Sequence, residues 1–123
     1  MNNADLANMT ERALVDRFRE VALEKETALL DSDTSKFRPL YEDMSAIDAE
    51  LRGRGSKARE ALLTLLDDGN LRVRYEAAVR CLGIAPARAR RVLEEIIASC
   101  KMPEAGDAGM TLLNLERGIL KPT

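Results

Sequence analysis

The residues of this 123-residue chain that could do chemistry are carboxylates, arginines and two cysteines, because the sequence contains no histidine. Ser–His and Cys–His nucleophile pairs and histidine-ligated metal sites are therefore excluded. The adjacent carboxylate pairs Asp67/Asp68 and Glu94/Glu95 do not converge on one substrate, since neighbouring side chains on a helix point about 100° apart. We predict that the protein is not an enzyme and has no catalytic residue and no cofactor.

Two other sets of acidic residues are considered as sites for a metal ion or for catalysis. The segment DSDTS at 31–35 is similar to the start of a calcium loop, but Phe37 and Pro39 fall where calcium ligands would have to stand. We therefore predict no metal site. Glu76 and Asp107 are the carboxylates that an enzyme would use if burial or neighbouring charges perturbed them.

Arginines are concentrated at three places, and such clusters could bind the phosphate backbone of a nucleic acid. The whole chain argues against it, because 19 Lys and Arg stand against 21 Asp and Glu, which gives a net charge of −2. Weak nucleic-acid binding is therefore the alternative function. The clusters are Arg52, Arg54, Lys57 and Arg59, then Arg72 and Arg74, then Arg88, Arg90 and Arg91.

The elements that must position these residues are helices. The composition is 46% hydrophobic with two Phe, two Tyr and no Trp, which favours aliphatic packing of helices over a β-sandwich. One helix is expected from Thr10, whose hydroxyl can cap it, to about Leu30, and a second over residues 36–52. Together they predict an antiparallel hairpin over residues 10–55. The expected buried faces are Leu14, Phe18, Val21, Ala22, Ala28 and Leu29, then Phe37, Leu40, Tyr41, Met44, Ile47 and Leu51.

Shorter helices follow, with Ser56 as the expected cap of the first and Pro86 at the start of the third. A shift of 31 positions reveals a weak repeat, which is typical of stacked helix pairs. The matched residues are Leu62, Leu65 and Leu66 with Leu93, Ile96 and Ile97. We predict one domain over 1–123, with a first HEAT-like repeat at 56–85 and a degenerate second repeat at 86–120.

The segment LLTLLDDGNLRVRYEAAVRCLGIA resembles a HEAT-like repeat: a Leu-rich helix, an Asp-containing turn, Val-Arg, two small residues and Leu-Gly. The order of elements also resembles a small bacterial HEAT-like family of unknown function. The resemblance implies an all-α fold, a short α-solenoid of about six antiparallel helices in a right-handed stack. The matching residues are Asp68, Val73, Arg74, Ala77, Ala78, Leu82 and Gly83.

Four of these residues are expected to be structural: Asp68 in the turn, Arg74 bonded to loop carbonyls or to Asp67 or Asp68, and Ala77 and Ala78 where helices press closely. The expected function is non-catalytic protein binding, because solenoids expose extended surfaces. Tyr75 is the expected anchor, with packing inside the fold as its alternative role. The candidate binding residues are Arg72, Tyr75, Glu76, Arg80, Arg88 and Arg91.

The cellular setting follows from what the sequence lacks. Two cysteines, with Cys81 expected in the core and Cys100 at a helix end, form no disulfide framework, and no apolar run approaches the about 20 residues of a membrane span. We predict a cytoplasmic protein with an unidentified protein partner and no membrane contact. A homodimer is an alternative, because Met110, Leu112, Leu115 and Ile119 would form an uncovered terminal face.

Overall fold

Helices are the regular elements throughout the part of the chain that the structure describes. In a computed structural model, residues 3–123 form seven α-helices and two short 3₁₀ helices, with no strand among those residues. The predicted all-α class is confirmed. The α-helices are α1 Asn3–Ala7, α2 Glu11–Leu30, α3 Phe37–Gly53, α4 Ser56–Glu60, α5 Leu71–Cys81, α6 Pro86–Ser99 and α7 Glu104–Glu116. The 3₁₀ helices are Thr34–Lys36 and Ala61–Asp67.

The chain divides into two compact units, the first ending at Leu62 and the second covering Leu63–Thr123. The boundary falls inside the segment 56–85 that resembles a HEAT-like repeat. No helix among residues 3–123 has the length and apolar composition needed to cross a bilayer.

The first unit is built on α2 packed against α3. Thr10 caps α2 as predicted, because its hydroxyl accepts a hydrogen bond from the backbone N–H of Ala13 at 3.1 Å. Most of the predicted apolar residues are buried between these helices. They are Leu14, Phe18, Val21, Ala22 and Ala28 from α2, and Leu40, Met44, Ile47 and Leu51 from α3.

Two expectations for the first unit are wrong. Tyr41 is 59% exposed and Phe37 is also on the surface; Tyr41 lies about 100° around the helix from the buried Leu40, outside the stripe that α2 covers. Ser56 does not cap α4, because Gly55 takes that position with a φ of 108°, a left-handed conformation that glycine adopts without strain.

In the second unit, α5, α6 and α7 pack against one another. Asn70 caps α5 by accepting a hydrogen bond from the N–H of Val73 at 3.0 Å, and Pro86 begins α6 as predicted. Ala77 and Ala78 are fully buried, as their small size indicated. Ile97 was expected in the core but is exposed, one position beyond the buried Ile96.

Candidate functional site

The most unusual feature of the second unit is a buried arginine. Arg72 is only 3% exposed, and α5 directs its guanidinium toward carboxylates of α7. Its Nη2 lies 2.8 Å from Glu104 Oε2 and 2.7 Å from Asp107 Oδ2, and its Nε donates to Glu104 at 2.9 Å. A buried charge needs such partners, since an isolated one would be very costly.

Glu76 extends this arrangement along α5. It is 2% exposed and accepts from Arg72 Nη1 at 3.3 Å and from Arg80 Nη1 at 2.8 Å. The spacing of four residues places the three side chains on one face of the helix. We call Arg72, Glu76, Arg80, Glu104 and Asp107 the Arg72 cluster.

The carboxylates of this cluster stabilise the charged form of Arg72. Burial lowers the pKa of the Arg72 guanidinium, but its hydrogen bonds to Asp107 and Glu104 and the negative charge of Glu76 outweigh that effect and raise the pKa. Arg72 therefore stays charged wherever the protein is folded. A guanidinium that stays charged and is bonded through all three of its nitrogens serves packing and orientation, because it does not release a proton at the pH at which the protein is folded.

Tyr75 lies beside the cluster and not on an open face. Its ring centroid is 5.0 Å from Arg72 Cζ, a cation–π distance, and its hydroxyl is 3.0 Å from Thr111 Oγ1. Because the Thr111 hydroxyl donates to the Asp107 carbonyl at 2.9 Å, Tyr75 must be the donor to Thr111. Burial raises the pKa of the Tyr75 hydroxyl, and the charges of Glu76 and Asp107 raise it further.

The first unit contains an open pocket of about 500 Å³ where α2 approaches the start of α3. Apolar side chains form part of its wall, and Leu30 at the end of α2 is 76% exposed. We call it the α2–α3 pocket. Its lining residues are Leu23, Glu24, Thr27, Ser35, Lys36, Pro39 and Leu40.

Comparison with known proteins places this chain in a family. A family model described as a domain of unknown function, DUF2019, matches residues 12–116. The chain belongs to the DUF2019 family. No curated protein matches it.

A solved relative of this DUF2019 domain shares its fold. The crystal structure of the protein RPA1889 from Rhodopseudomonas palustris CGA009 matches with a TM-score of 0.91 and 42% sequence identity. The match covers 96% of this chain and 98% of the bacterial protein. Neither finding names an activity or confirms a HEAT-like repeat.

The predicted binding surface of the DUF2019 domain needs correction. Arg72 and Glu76 were expected to be exposed and are buried, because Arg72 pairs with Glu104 and Asp107 of α7 and Glu76 pairs in turn with Arg72 and Arg80. Arg80 is also largely covered and bonded to Glu76. Glu76 and Asp107, the carboxylates considered for an enzyme, do come together, but each is bonded to an arginine.

The arginines of α6 in this DUF2019 domain are more accessible. Arg88 is exposed but pairs with Asp67 at 2.9 Å, while Arg90 pairs with Glu116 at 3.1 Å. Arg91 is exposed. Pairing neutralises two of these three arginines and reduces their attraction for phosphates.

The terminal apolar face of the second unit is only partly uncovered. Leu112 is buried, whereas Met110 and Ile119 are exposed together with Met102. Cys81 is buried and Cys100 exposed, as the sequence indicated, and the two do not form a disulfide. Among residues 3–123, no three Cys, Asp or Glu side chains gather in a way that could hold a metal ion.

Sequence reasoning missed Glu104 and Thr111 as members of the site in this DUF2019 domain. The spacing Arg72–Glu76–Arg80 was a usable signal, because charges four residues apart form a ladder along one helix face. Glu104 and Thr111 stand more than thirty positions away, so no local pattern connects them with α5.

Arg74 has the structural environment that its sequence position predicted. Its Nε donates to the Leu66 carbonyl at 3.1 Å, and its carboxylate partner is Glu95 at 2.6 Å in place of the expected Asp67 or Asp68. Asp68 accepts instead from the N–H of Asn70 at 2.9 Å. The side chain thus joins the 3₁₀ helix Ala61–Asp67 to α6.

We expect Arg74→Ala to lower the free energy of unfolding by about 1–3 kcal/mol, because the Leu66 carbonyl loses its donor. Urea denaturation of the variant and the wild type measures the change. Arg91→Ala, at an exposed position of α6, is the matched control and should change it by less than about 0.5 kcal/mol. A loss for Arg74→Ala as small as that of the control would contradict the structural role.

Tyr75→Phe should lower the free energy of unfolding at neutral pH by about 0.5–1.5 kcal/mol through loss of the bond to Thr111. Because folding raises the Tyr75 pKa, the stability linked to this proton is complete below the ordinary value near 10 and declines as pH rises through the folded value. Between about pH 8 and about pH 11, the gap between the unfolding free energies of wild type and variant should therefore first stay constant and then narrow above about pH 10. Urea unfolding across this range measures it; Tyr41→Phe at an exposed site is the control, and a gap that stays constant would contradict the linkage.

Proposed function

We propose that this DUF2019 domain is a non-catalytic protein–protein interaction module. The observation that carries the proposal is the uncovered apolar surface where α2 ends and α3 begins. Leu30, Phe37 and Tyr41 are exposed there, and in the sequence they stand close to the residues that line the α2–α3 pocket. Large apolar and aromatic side chains on a surface are typical of protein interfaces, where they act as anchors. The predicted protein-binding function is retained, but the proposed binding surface lies at the end of α2 and the start of α3 instead of on α5.

The carboxylates of the Arg72 cluster support a role without catalysis. Glu76, Glu104 and Asp107 each lie within 3.3 Å of a guanidinium nitrogen, so their negative charge is already used inside the fold. A general base needs a lone pair that can reach a substrate proton. The cluster is better suited to holding α5 against α7.

Nucleic-acid binding is the second candidate, favoured only by the exposed Arg88 and Arg91. The pairing of Arg88 with Asp67 and the net charge of −2 weaken it. If it occurred, affinity would fall steeply as salt is raised.

The proposal includes a HEAT-like organisation of the helices in the second unit and a cytoplasmic location. The buried pair Ala77 and Ala78 on α5 and the packing of α5, α6 and α7 support the first, although the Leu-rich segment is a 3₁₀ helix at Ala61–Asp67. The two free cysteines support a reducing compartment.

Affinity capture of the tagged chain from its native lysate, with and without nuclease, tests the function. We expect a stoichiometric protein that survives nuclease and is lost with Phe37→Ser/Tyr41→Ser. Met110→Ser/Ile119→Ser is the matched control, because it removes two exposed apolar side chains from the second unit. Capture that disappears with nuclease would establish the nucleic-acid alternative, and the absence of any stoichiometric protein would show the proposed function to be wrong.

A further inference from the structure

We propose that the α2–α3 pocket is the docking site for a basic amphipathic helix of a partner protein. The inference rests on the proposed function and deepens it by naming the site and the chemistry of the partner. It is argued from the shape of the pocket, the apolar residues that extend it and the charges around it.

The pocket has the size and wall that apolar side chains require. Its volume of about 500 Å³ exceeds that of a single aliphatic side chain, and Leu23, Pro39 and Leu40 contribute apolar surface to it. Thr27 and Ser35 are small, which leaves the cavity open to solvent. An apolar group that enters would remove this surface from water, which is favourable in proportion to the area buried.

An exposed apolar residue extends the pocket along α2, and exposed aromatic residues stand on α3 outside the lining of the pocket. On α2, Leu23, Thr27 and Leu30 are spaced by four and three residues and so share one face, which continues the wall to the exposed Leu30. On α3, Phe37 and Tyr41 are spaced by four. Apolar surface on two packed helices with a pocket between them matches a helix-in-groove interface, in which anchors come every three or four residues.

The α2 side of the pocket, its rim, is acidic. Glu24 lines the pocket, and Glu20 lies one turn before it on α2. Both pair with the guanidinium of Arg17, at 3.6 and 3.0 Å, which also lies 4.0 Å from Asp43. Over residues 17–43, seven Asp and Glu stand against five Lys and Arg, so the surroundings of the pocket carry an excess of negative charge.

The turn between α2 and α3 adds to this charge. Asp31 and Asp33 stand there against Lys36, whose ammonium lies 3.7 Å from Asp33. The hydroxyl of Ser35, at 2.5 Å, holds the pKa of Asp33 below its ordinary value, so this carboxylate is charged at neutral pH. Lysines and arginines flanking an apolar stripe would complement the rim, whereas a nucleic acid or an anionic membrane would be repelled.

Fluorescence anisotropy with a labelled model peptide tests the inference on the full chain. The probe is a peptide of about 14 residues in which leucines at helical spacing form one face and lysines the other. A matched peptide keeps the leucines and replaces lysine with glutamate. Titrations at about 50 mM salt preserve the electrostatic contribution, and a second series at higher salt measures it.

Two variants test different parts of the site, the pocket and its rim charge. Thr27→Trp places a large ring at the pocket, with Ala98→Trp on the exposed face of α6 as its control for added bulk. Glu24→Lys reverses a rim charge, with Glu60→Lys as the control for the same charge change at an exposed position outside the pocket. Circular dichroism checks that Thr27→Trp is folded, and Glu24→Lys keeps the test valid if it is not.

We expect the Leu/Lys peptide to bind, and Thr27→Trp and Glu24→Lys to weaken it about tenfold while their controls change it less than about twofold. The Leu/Glu peptide should not compete. The inference is overturned if the Leu/Lys peptide does not bind, if the two peptides bind equally, or if pocket and control variants have the same effect. A partner that is still captured from the lysate by both pocket variants would overturn this site alone, whereas the absence of any captured partner would overturn the proposed function.

Discussion

Replacing Arg72 with methionine is expected to lower the free energy of unfolding by about 3–5 kcal/mol, the range found when one member of a buried ionic group is removed. Methionine is long enough to fill much of the space but cannot donate a hydrogen bond. The loss would leave the buried Glu104 without the guanidinium to which it is bonded, and it would leave the buried Glu76 paired with Arg80 in place of two arginines. Asp107 is more exposed and can recover water, so the cost comes mainly from the two buried carboxylates.

Urea denaturation at neutral pH measures this loss, with Arg91→Met as the control for the same substitution at an exposed position of α6. The triple variant Arg72→Met/Glu76→Met/Glu104→Met should recover much of the stability, because it removes the three most buried charges together with their desolvation cost, whereas Arg80 and Asp107 are more exposed to water. Arg72→Met with a loss below about 1 kcal/mol would show that water reaches the carboxylates and that the cluster is not as closed as its distances indicate.

The two long helices were predictable because their signals are local. The hydroxyl of Thr10 and the apolar spacing of three and four residues define α2 without reference to any other part of the chain. Pro86 starts α6 for the same reason, since proline is compatible with the first helical turn. Helix caps and the periodic spacing of apolar residues therefore predicted helices in both units.

The Arg72 cluster could be predicted only in part, because its bonds are long-range. The sequence shows Arg72, Glu76 and Arg80 on one helix face, and such a face is usually solvated. Only the fold brings Glu104 and Asp107 of α7 against it, across 32 and 35 positions. A charged stripe was thus interpreted as a binding surface when it is an internal contact between two helices.

The first helix shows a different limit of the sequence signal. Residues 1–9 have no strong apolar periodicity, and the sequence predicts the first helix only from Thr10. The structure places α1 against α3, with Leu6 only 1% exposed. Arg54, just beyond α3, donates to the carbonyls of Leu6 and Ala7 at 3.0 and 3.4 Å. Among residues 5–7 of α1, Leu6 is the buried side chain, and Arg54 binds the helix from more than forty positions away; neither forms a pattern within α1.

Leu6→Ala should therefore lower the free energy of unfolding by about 2–5 kcal/mol, as expected for a large-to-small change at a fully buried site. The size of the loss reports how firmly α1 is held, since a helix of five residues has little stability of its own. Ala7→Gly is a useful comparison, because Ala7 is exposed on the same helix and should cost no more than about 1 kcal/mol.

Urea unfolding monitored by circular dichroism measures the Leu6 variant, and hydrogen exchange locates the loss. If α1 and α3 form one cooperative body, exchange should quicken at the amides of α2 and α3 as well as in α1, because all of them open in the same transition. Faster exchange confined to α1, with unchanged urea unfolding, would show that α1 detaches alone. The burial of Leu6 would then contribute to the position of α1 without contributing to the stability of the first unit.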